Sequence, residues 1–161
     1  MRRIAAAILT AGLVAAPALA TARPDPSFSV QLLRGACLGT CPVYTVTIDA
    51  AGQVVFTGGE SGRGASIHCQ GKRRWTIAPA AVAQLQAFID SSGFFGFKDS
   101  YNSRITDLPT YIVTVTRHHR TKTVRDADGH MVGMPATMTR IETAIDNTAA
   151  DSACLSRAPP S

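Results

Sequence analysis

Alternation of apolar and polar positions predicts most of the strands. From Ser27 to Arg34 the apolar side chains fall on every second residue, which is the period of a half-buried strand. Strand-like patterns of this kind cover residues 27–34, 43–48, 53–57, 73–77, 111–116 and 121–125. Short turns separate the second from the third and the fifth from the sixth, so we expect each of these two pairs to form a β-hairpin.

Helical spacing of apolar residues occurs in two places. Pro79 and Pro135 each precede such a stripe, and proline suits the first position of a helix, where no backbone N–H is needed. The stripes consist of Val82, Leu85, Phe88 and Ile89 in one helix, and Met138, Ile141 and Ile145 in the other. Gly93 is expected to cap the first helix, and the second is expected to end near Ala149.

The order of these elements predicts the fold class. Strands joined by short turns are antiparallel neighbours, and a helix that is apolar on one side must cover a sheet. We therefore predict an α+β domain with a single antiparallel sheet of about five to six strands and two amphipathic helices on one face. The segment from Tyr101 to Pro109 is interpreted as a polar connection.

The N-terminus has the pattern of a secretory signal peptide. Arg2 and Arg3 are followed by an apolar run from Ile4 to Ala16 and by Ala18-Leu19-Ala20, a small-x-small cleavage pattern. The run is shorter than the roughly 20 residues of a membrane span. No cysteine stands at the cleavage point, so a lipid anchor is not expected. We predict a periplasmic or secreted protein, a monomer with no transmembrane segment once the signal is removed.

The remaining chain divides simply. We assign residues 1–20 to the signal, 21–26 to a linker, 27–150 to the domain, and 151–161 to a mostly disordered tail that contains Cys154. The chain has 16 basic and 11 acidic residues, and removal of Arg2 and Arg3 lowers the formal charge of +5 by two. This mild excess, without a long basic run, does not predict binding to nucleic acid.

Four cysteines in an exported chain favour disulfides. Of the three possible pairings we favour Cys37–Cys41, close in sequence across Gly39, together with Cys69–Cys154. A redox pair is disfavoured because the loop leads into a strand and no helix dipole would lower a thiol pKa. A thiophilic metal such as copper, held by Cys37, Cys41 and His68, remains an alternative.

Few other residues suggest chemistry. Tyr44, Tyr101 and Asp107 could line a groove, although a turn role is preferred for Asp107. The segment 126–129, Asp-Ala-Asp-Gly, has only part of a calcium-loop pattern and is interpreted as a turn. Glutamate is limited to Glu60 and Glu142, and no serine stands in a nucleophile elbow. We therefore expect a protein that is not an enzyme and has no cofactor.

The cysteine loop also carries a resemblance to a known family. Residues 37–44 read C-x-G-x-C-P-x-Y and are followed by an Asp-x-x-Gly-x-Val hairpin at 49–54 and a glycine-rich loop. A helix ending in Phe-Phe, then Tyr101 and an Asp-Leu-Pro at 107–109, complete the pattern. Over residues 27–147 the chain resembles the bacterial exported domain of unknown function DUF6438. The resemblance implies an architecture and an exported location, and it implies no activity.

The signal pattern, the cysteines and the lack of a catalytic set together suggest the function. The leading hypothesis is an exported, non-enzymatic, disulfide-stabilised module that binds an envelope or extracellular partner or has a structural role there. A copper-binding protein that uses the C-x-x-x-C-P loop is the alternative. A secreted enzyme inhibitor comes third, because no reactive loop is identifiable.

Overall fold

The computed structural model describes residues 24–58, 70–151 and 153–156. Within them the elements follow one another as β1 (Ser29–Arg34), β2 (Tyr44–Asp49), β3 (Gln53–Gly58), β4 (Gly71–Thr76), α1 (Pro79–Ser91), β5 (Ser100–Asn102), β6 (Thr110–Arg117), β7 (Arg120–Ala127) and α2 (Ala136–Ala149). Two short 3₁₀ turns lie at Phe94–Gly96 and Gly129–Val132. The predicted signal peptide, His68, Cys69 and most of the glycine-rich loop lie outside the described residues.

One mixed sheet contains all seven described strands, in the order β4-β3-β2-β1-β6-β7-β5. The α+β class is confirmed. The predicted five to six antiparallel strands are wrong in number and in orientation, because β5 is a seventh strand and pairs with β7 in parallel. A three-residue strand is too short to show an alternation, so the sequence pattern did not predict a strand at residues 100–102.

The two helices cover one face of this sheet. Alternate strand residues, such as Val30 and Leu32 of β1, are fully buried in a single core with Val82 and Ile89 of α1 and with Ile141 of α2. Pro79 stands at the start of α1 as predicted. Pro135 differs by one position, because it is the N-cap of α2 and the helix begins at Ala136.

Cross-strand register divides the covered face into rows. One row is apolar and includes Leu32 opposite Val46 and Val113, extended by Phe56 on β3 and Val124 on β7. The next row towards the end of the sheet is polar. It consists of Tyr44, Arg34, Tyr111, Asp126 and Tyr101, on β2, β1, β6, β7 and β5 in that order. We call this set the polar row.

Candidate functional site

The centre of the polar row is a buried ion pair with α2. The Arg34 guanidinium donates to Oδ2 of Asp146 through Nε at 2.9 Å and through Nη2 at 2.6 Å. The Tyr44 hydroxyl donates to Oδ1 of the same carboxylate at 2.6 Å. The guanidinium also lies 4.4 Å from the centre of the Tyr111 ring, a cation–π distance. Three donors directed at two oxygens fit an ionised Asp146.

Burial shifts the pKa values of all three partners. It opposes the charge on Arg34, but the Asp146 carboxylate outweighs this effect and holds the Arg34 pKa above its ordinary value. Burial, and then the charge of Asp146, raise the pKa of Tyr44, so the hydroxyl keeps the proton that it donates. Burial raises the pKa of Asp146 too, whereas Arg34 and Tyr44 oppose that rise. The three groups therefore depend on each other for their charge states.

Glu142, one helical turn before Asp146 on α2, is a different case. Glu142 is only 1 % exposed, and its Oε1 has no hydrogen-bond partner among the described residues. Burial, followed by the negative charge of Asp126 and a hydrogen bond with its side chain, raises the pKa of Glu142 to about 8, with Arg34 opposing. At neutral pH Glu142 therefore mostly keeps its proton. Such an unsatisfied buried polar atom calls for an explanation.

Asp126 is held beside Glu142 by the turn that follows β7. Its Oδ1 accepts a hydrogen bond of 2.6 Å from the Gly129 backbone N–H. A Cβ on Gly129 would come within 2.6 Å of Tyr101 Cβ, 2.8 Å of Met134 Sδ and 2.9 Å of Asp126 Oδ1. Glycine is therefore required here, because any side chain would push the turn away from Asp126. The segment 126–129 is a turn, as predicted, and it also places two carboxylates.

A cavity of about 230 Å³ opens at these carboxyl groups. Asp126, Asp128 and Glu142 contribute to its wall, and Leu108, Pro109, Tyr111, His130, Met134 and Thr139 complete it. The Asp128 side chain is 5 % exposed and its Oδ1 lies 2.8 Å from His130 Nδ1, whereas the His130 side chain is 71 % exposed. We call this cavity the acidic pocket.

Charge in the acidic pocket is unbalanced. The Arg34 charge is already matched by Asp146. The ion pairs found among the described residues include neither Asp126 nor Glu142. No group of three or more His, Cys, Asp or Glu side chains in the described part of the chain is placed to hold a metal ion.

The cysteine loop lies against the segment that leads to the pocket. Cys37 and Cys41 form a disulfide with their Cα atoms 5.7 Å apart. The Gly35 N–H donates to Thr110 O at 2.8 Å, and the Leu38 N–H donates to Asp107 O at 3.0 Å. The loop is thus attached to the chain between 107 and 110. With both sulfurs in this bond, Cys37 and Cys41 offer no thiolate to a metal.

The described residues include only one of the two cysteines of the second predicted disulfide. Cys154 is buried and disulfide-bonded, but Cys69 lies outside the described residues. The Cys69–Cys154 pairing therefore stays a prediction. Around Cys154, Asp151 and Leu155 form an isolated β-bridge, so this part of the predicted tail packs on the domain.

The three residues predicted to line a groove are dispersed. Tyr44 is buried in the ion-pair cluster, and Tyr101 is buried with its hydroxyl accepting from the Lys98 N–H at 3.1 Å. The Asp107 side chain is exposed, and its backbone carbonyl holds the cysteine loop. The wall of the acidic pocket comes from their neighbours, such as Leu108 and Tyr111.

Sequence reasoning missed Glu142 and Asp146 as site residues, although a signal existed. Both continue, at intervals of four, the buried stripe that begins at Met138 on α2. Acids in the buried stripe of an amphipathic helix are rare unless they are paired. That exception to the pattern could have identified them.

Comparison with known families decides the affiliation. A family model described as a domain of unknown function (DUF6438) matches residues 28–149. The chain belongs to the DUF6438 family. The match confirms the resemblance predicted from the sequence, and it spans β1 to α2, including every residue of the acidic pocket. No curated protein matches the sequence. No helix in the described part of this DUF6438 protein is long and apolar enough to cross a membrane.

Proposed function

We propose that this DUF6438 protein is an exported, non-enzymatic, disulfide-stabilised module that binds a positively charged group in the acidic pocket. The observation that carries the proposal is the buried Oε1 of Glu142, which has no partner among the described residues and belongs to a residue of the pocket wall. A bound ammonium or guanidinium would supply the missing donor. It would also offset part of the negative charge that Asp126 and Asp128 bring to the pocket wall.

The size of the pocket narrows the ligand. Pockets for drug-sized molecules measure about 300–1,000 Å³. The acidic pocket, at about 230 Å³, suits one side-chain-sized group better than a whole cofactor. A lysine-like or arginine-like head group fits this volume and the surplus of carboxyl groups.

Calorimetric titration tests the binding. N-acetyl-lysine methylamide and N-acetyl-arginine methylamide serve as probes, and N-acetyl-norleucine methylamide is the uncharged control. We expect the two cations to bind and norleucine not to. Binding at pH 7 should release a proton, because the ligand favours ionised Glu142, and the measured heat should therefore change with the ionisation enthalpy of the buffer.

Variants locate the effect. Glu142→Gln and Asp128→Asn should each weaken binding of the cations at least tenfold, and Asp99→Asn, a largely exposed acid that pairs with Lys122, should not. Equal affinity for lysine and norleucine derivatives, or no binding of either cation, would refute the proposed site.

Export is tested separately. The signal pattern and the Cys37–Cys41 disulfide support it. Mass spectrometry of protein recovered from the periplasm or medium should find a mature N-terminus after Ala20 and no free thiol. A full-length, reduced protein confined to the cytoplasm would contradict this part of the proposal.

A further inference from the structure

The exposed large hydrophobic residues of the described chain belong to segments that border the acidic pocket. They are Leu38, Ile105, Leu108, Met131 and Val132. All of them come from three segments, namely the cysteine loop, the connection between β5 and β6, and the 3₁₀ turn after β7. We call these five residues the apolar rim.

Contacts tie each of these segments to the pocket. Leu108 is itself part of the wall, and Leu38 is attached beside it through the bond from its N–H to Asp107 O. Met131 and Val132 follow His130, another wall residue, within the same 3₁₀ turn. The rim and the pocket therefore share one end of the domain.

Leu38, the rim residue of the cysteine loop, is kept exposed to solvent by that loop. Leu38 is 82 % exposed and lies inside the ring closed by Cys37 and Cys41. The disulfide limits how far the loop can fold back, so Leu38 has no easy route into the core. Scattered exposed apolar residues are ordinary, but a group around a cavity is typical of an interaction surface.

We infer that the natural occupant of the acidic pocket is a lysine or arginine side chain of a partner protein, on a segment whose neighbouring residues are apolar and cover the rim. This inference rests on the proposed function. A free small amine would fill the pocket and leave the rim in water. A membrane surface is disfavoured, because the carboxyl groups of the pocket would repel anionic lipid headgroups.

Charge complementarity supports a basic anchor residue. Around Glu142, α2 contributes Asp146, β7 contributes Asp126, β6 contributes Tyr111, and the following turn contributes Asp128 and His130. Arg34 on β1 is the cation among these groups, and Asp146 already pairs with it. Arginine is among the residue types that are enriched at interface hot spots, where surrounding contacts exclude water from the pocket that holds it.

Two synthetic peptides test the inference. Ac-Gly-Leu-Arg-Leu-Gly-NH₂ and Ac-Gly-Ser-Arg-Ser-Gly-NH₂ carry the same cation and differ only in the flanking residues. We expect the leucine peptide to bind the full mature protein at least tenfold more tightly. Leu38→Ser together with Met131→Ser, two exposed rim residues outside the pocket wall, should remove that advantage without changing the affinity for N-acetyl-arginine methylamide. Thr40→Ser, an exposed change in the same loop, is the matched control and should leave all affinities unchanged.

The outcomes separate the two claims. Equal affinity of the two peptides, with the small cation still bound, would overturn the inference and leave the proposed function standing. Failure of the small cation and of both peptides would overturn both. Dimerisation of the protein alone in sedimentation analysis, abolished by Leu38→Ser, would overturn the inference of a separate partner in favour of a second copy of this chain.

Discussion

Two neighbouring rows of the same sheet face are built from opposite chemistry. The apolar row around Leu32 and Phe56 is fully buried and contains no group that needs a partner. The polar row beside it buries the Arg34–Asp146 ion pair, and the wall of the neighbouring acidic pocket includes Glu142, whose Oε1 has no partner among the described residues. Both rows lie beneath the helices of one domain.

The difference teaches that stability alone does not explain the polar row. Replacing a buried ion pair by well-packed apolar residues is often neutral or stabilising, so such a pair is weak evidence of a stabilising role. The apolar row shows that this fold can fill the same face with valine, leucine and phenylalanine. The proposed ligand of the acidic pocket would account for the four acids at this end of the sheet, which are Asp126, Asp128, Glu142 and Asp146.

The strongest test of the comparison removes the centre of the apolar row. Phe56 is fully buried, with its ring 5.5 Å from that of Tyr44 and 6.1 Å from that of Trp75. Phe56→Ala should lower the free energy of unfolding by about 3–5 kcal/mol, because a large cavity remains. Urea denaturation measures the loss. Thr57→Ala, at the exposed neighbouring position, is the control, and a loss below about 1 kcal/mol for Phe56→Ala would contradict the assignment of this row to the core.

The next largest effect is expected from removing the charge of Arg34. Arg34→Met should cost about 3 kcal/mol at pH 7, because it leaves the buried Asp146 carboxylate without its cation. Denaturant unfolding gives the value. Adding Asp146→Leu to Arg34→Met should recover much of the loss, since both charges are then gone. If the single variant is as stable as the wild type, the polar row does not depend on this pair.

The pH dependence of stability tests the role of Glu142 in the acidic pocket. Its folded pKa of about 8 lies above its ordinary value of 4.5, so the folded state keeps a proton that the unfolded state loses. The contribution of protonated Glu142 to the free energy of unfolding is fully present below pH 4.5 and is lost as the pH rises towards 8. The loss reaches up to about 1.4 kcal/mol per pH unit, or about 2 kcal/mol between pH 5.5 and 7.

Glu142→Gln should remove this slope, because glutamine imitates the protonated acid. Thermal melts from pH 5 to 8 compare the variant with the wild type. Asp146 also has a raised pKa, but it is present in both proteins and cancels in the difference. Asp99→Asn serves as a control on an exposed acid. Identical pH profiles for the wild type and Glu142→Gln would show that Glu142 is ionised in the fold.

The smallest effect is expected on the opposite, uncovered face of the sheet. Thr114 and Thr123 share a hydrogen bond of 2.9 Å across β6 and β7. Thr114→Ala should cost about 0.2–1 kcal/mol, as cross-strand pairs do. A double-mutant cycle with Thr123→Ala measures the coupling. A cost above about 2 kcal/mol would mean that this face is covered in solution.

Local patterns predicted the elements well where the pattern was long enough. The alternation in β1, β2, β3, β6 and β7 located those strands to within a few residues. The apolar stripes located both helices, with α2 displaced by a single residue at its start. The short strand β5 was missed, since its parallel pairing with β7 depends on a partner more than twenty residues away.

The candidate site was predicted less well. The sequence drew attention to Tyr44, which does lie in the polar row, and to Asp107, which holds the cysteine loop only through its carbonyl. It gave no reason to join Arg34 with Asp146, which are 112 residues apart. Only the packing of α2 across the end of the sheet brings such distant charges together.

The sequence by itself determined the family, the α+β class, the helix stripes and the closeness of Cys37 to Cys41, because each of these depends on neighbours along the chain. The tertiary structure alone decided which strands pair, where α2 lies over the sheet, and hence that Glu142 meets Asp126. The physical reason is that a pKa, a cavity and an ion pair belong to groups in contact through space, and periodicity carries no record of those contacts.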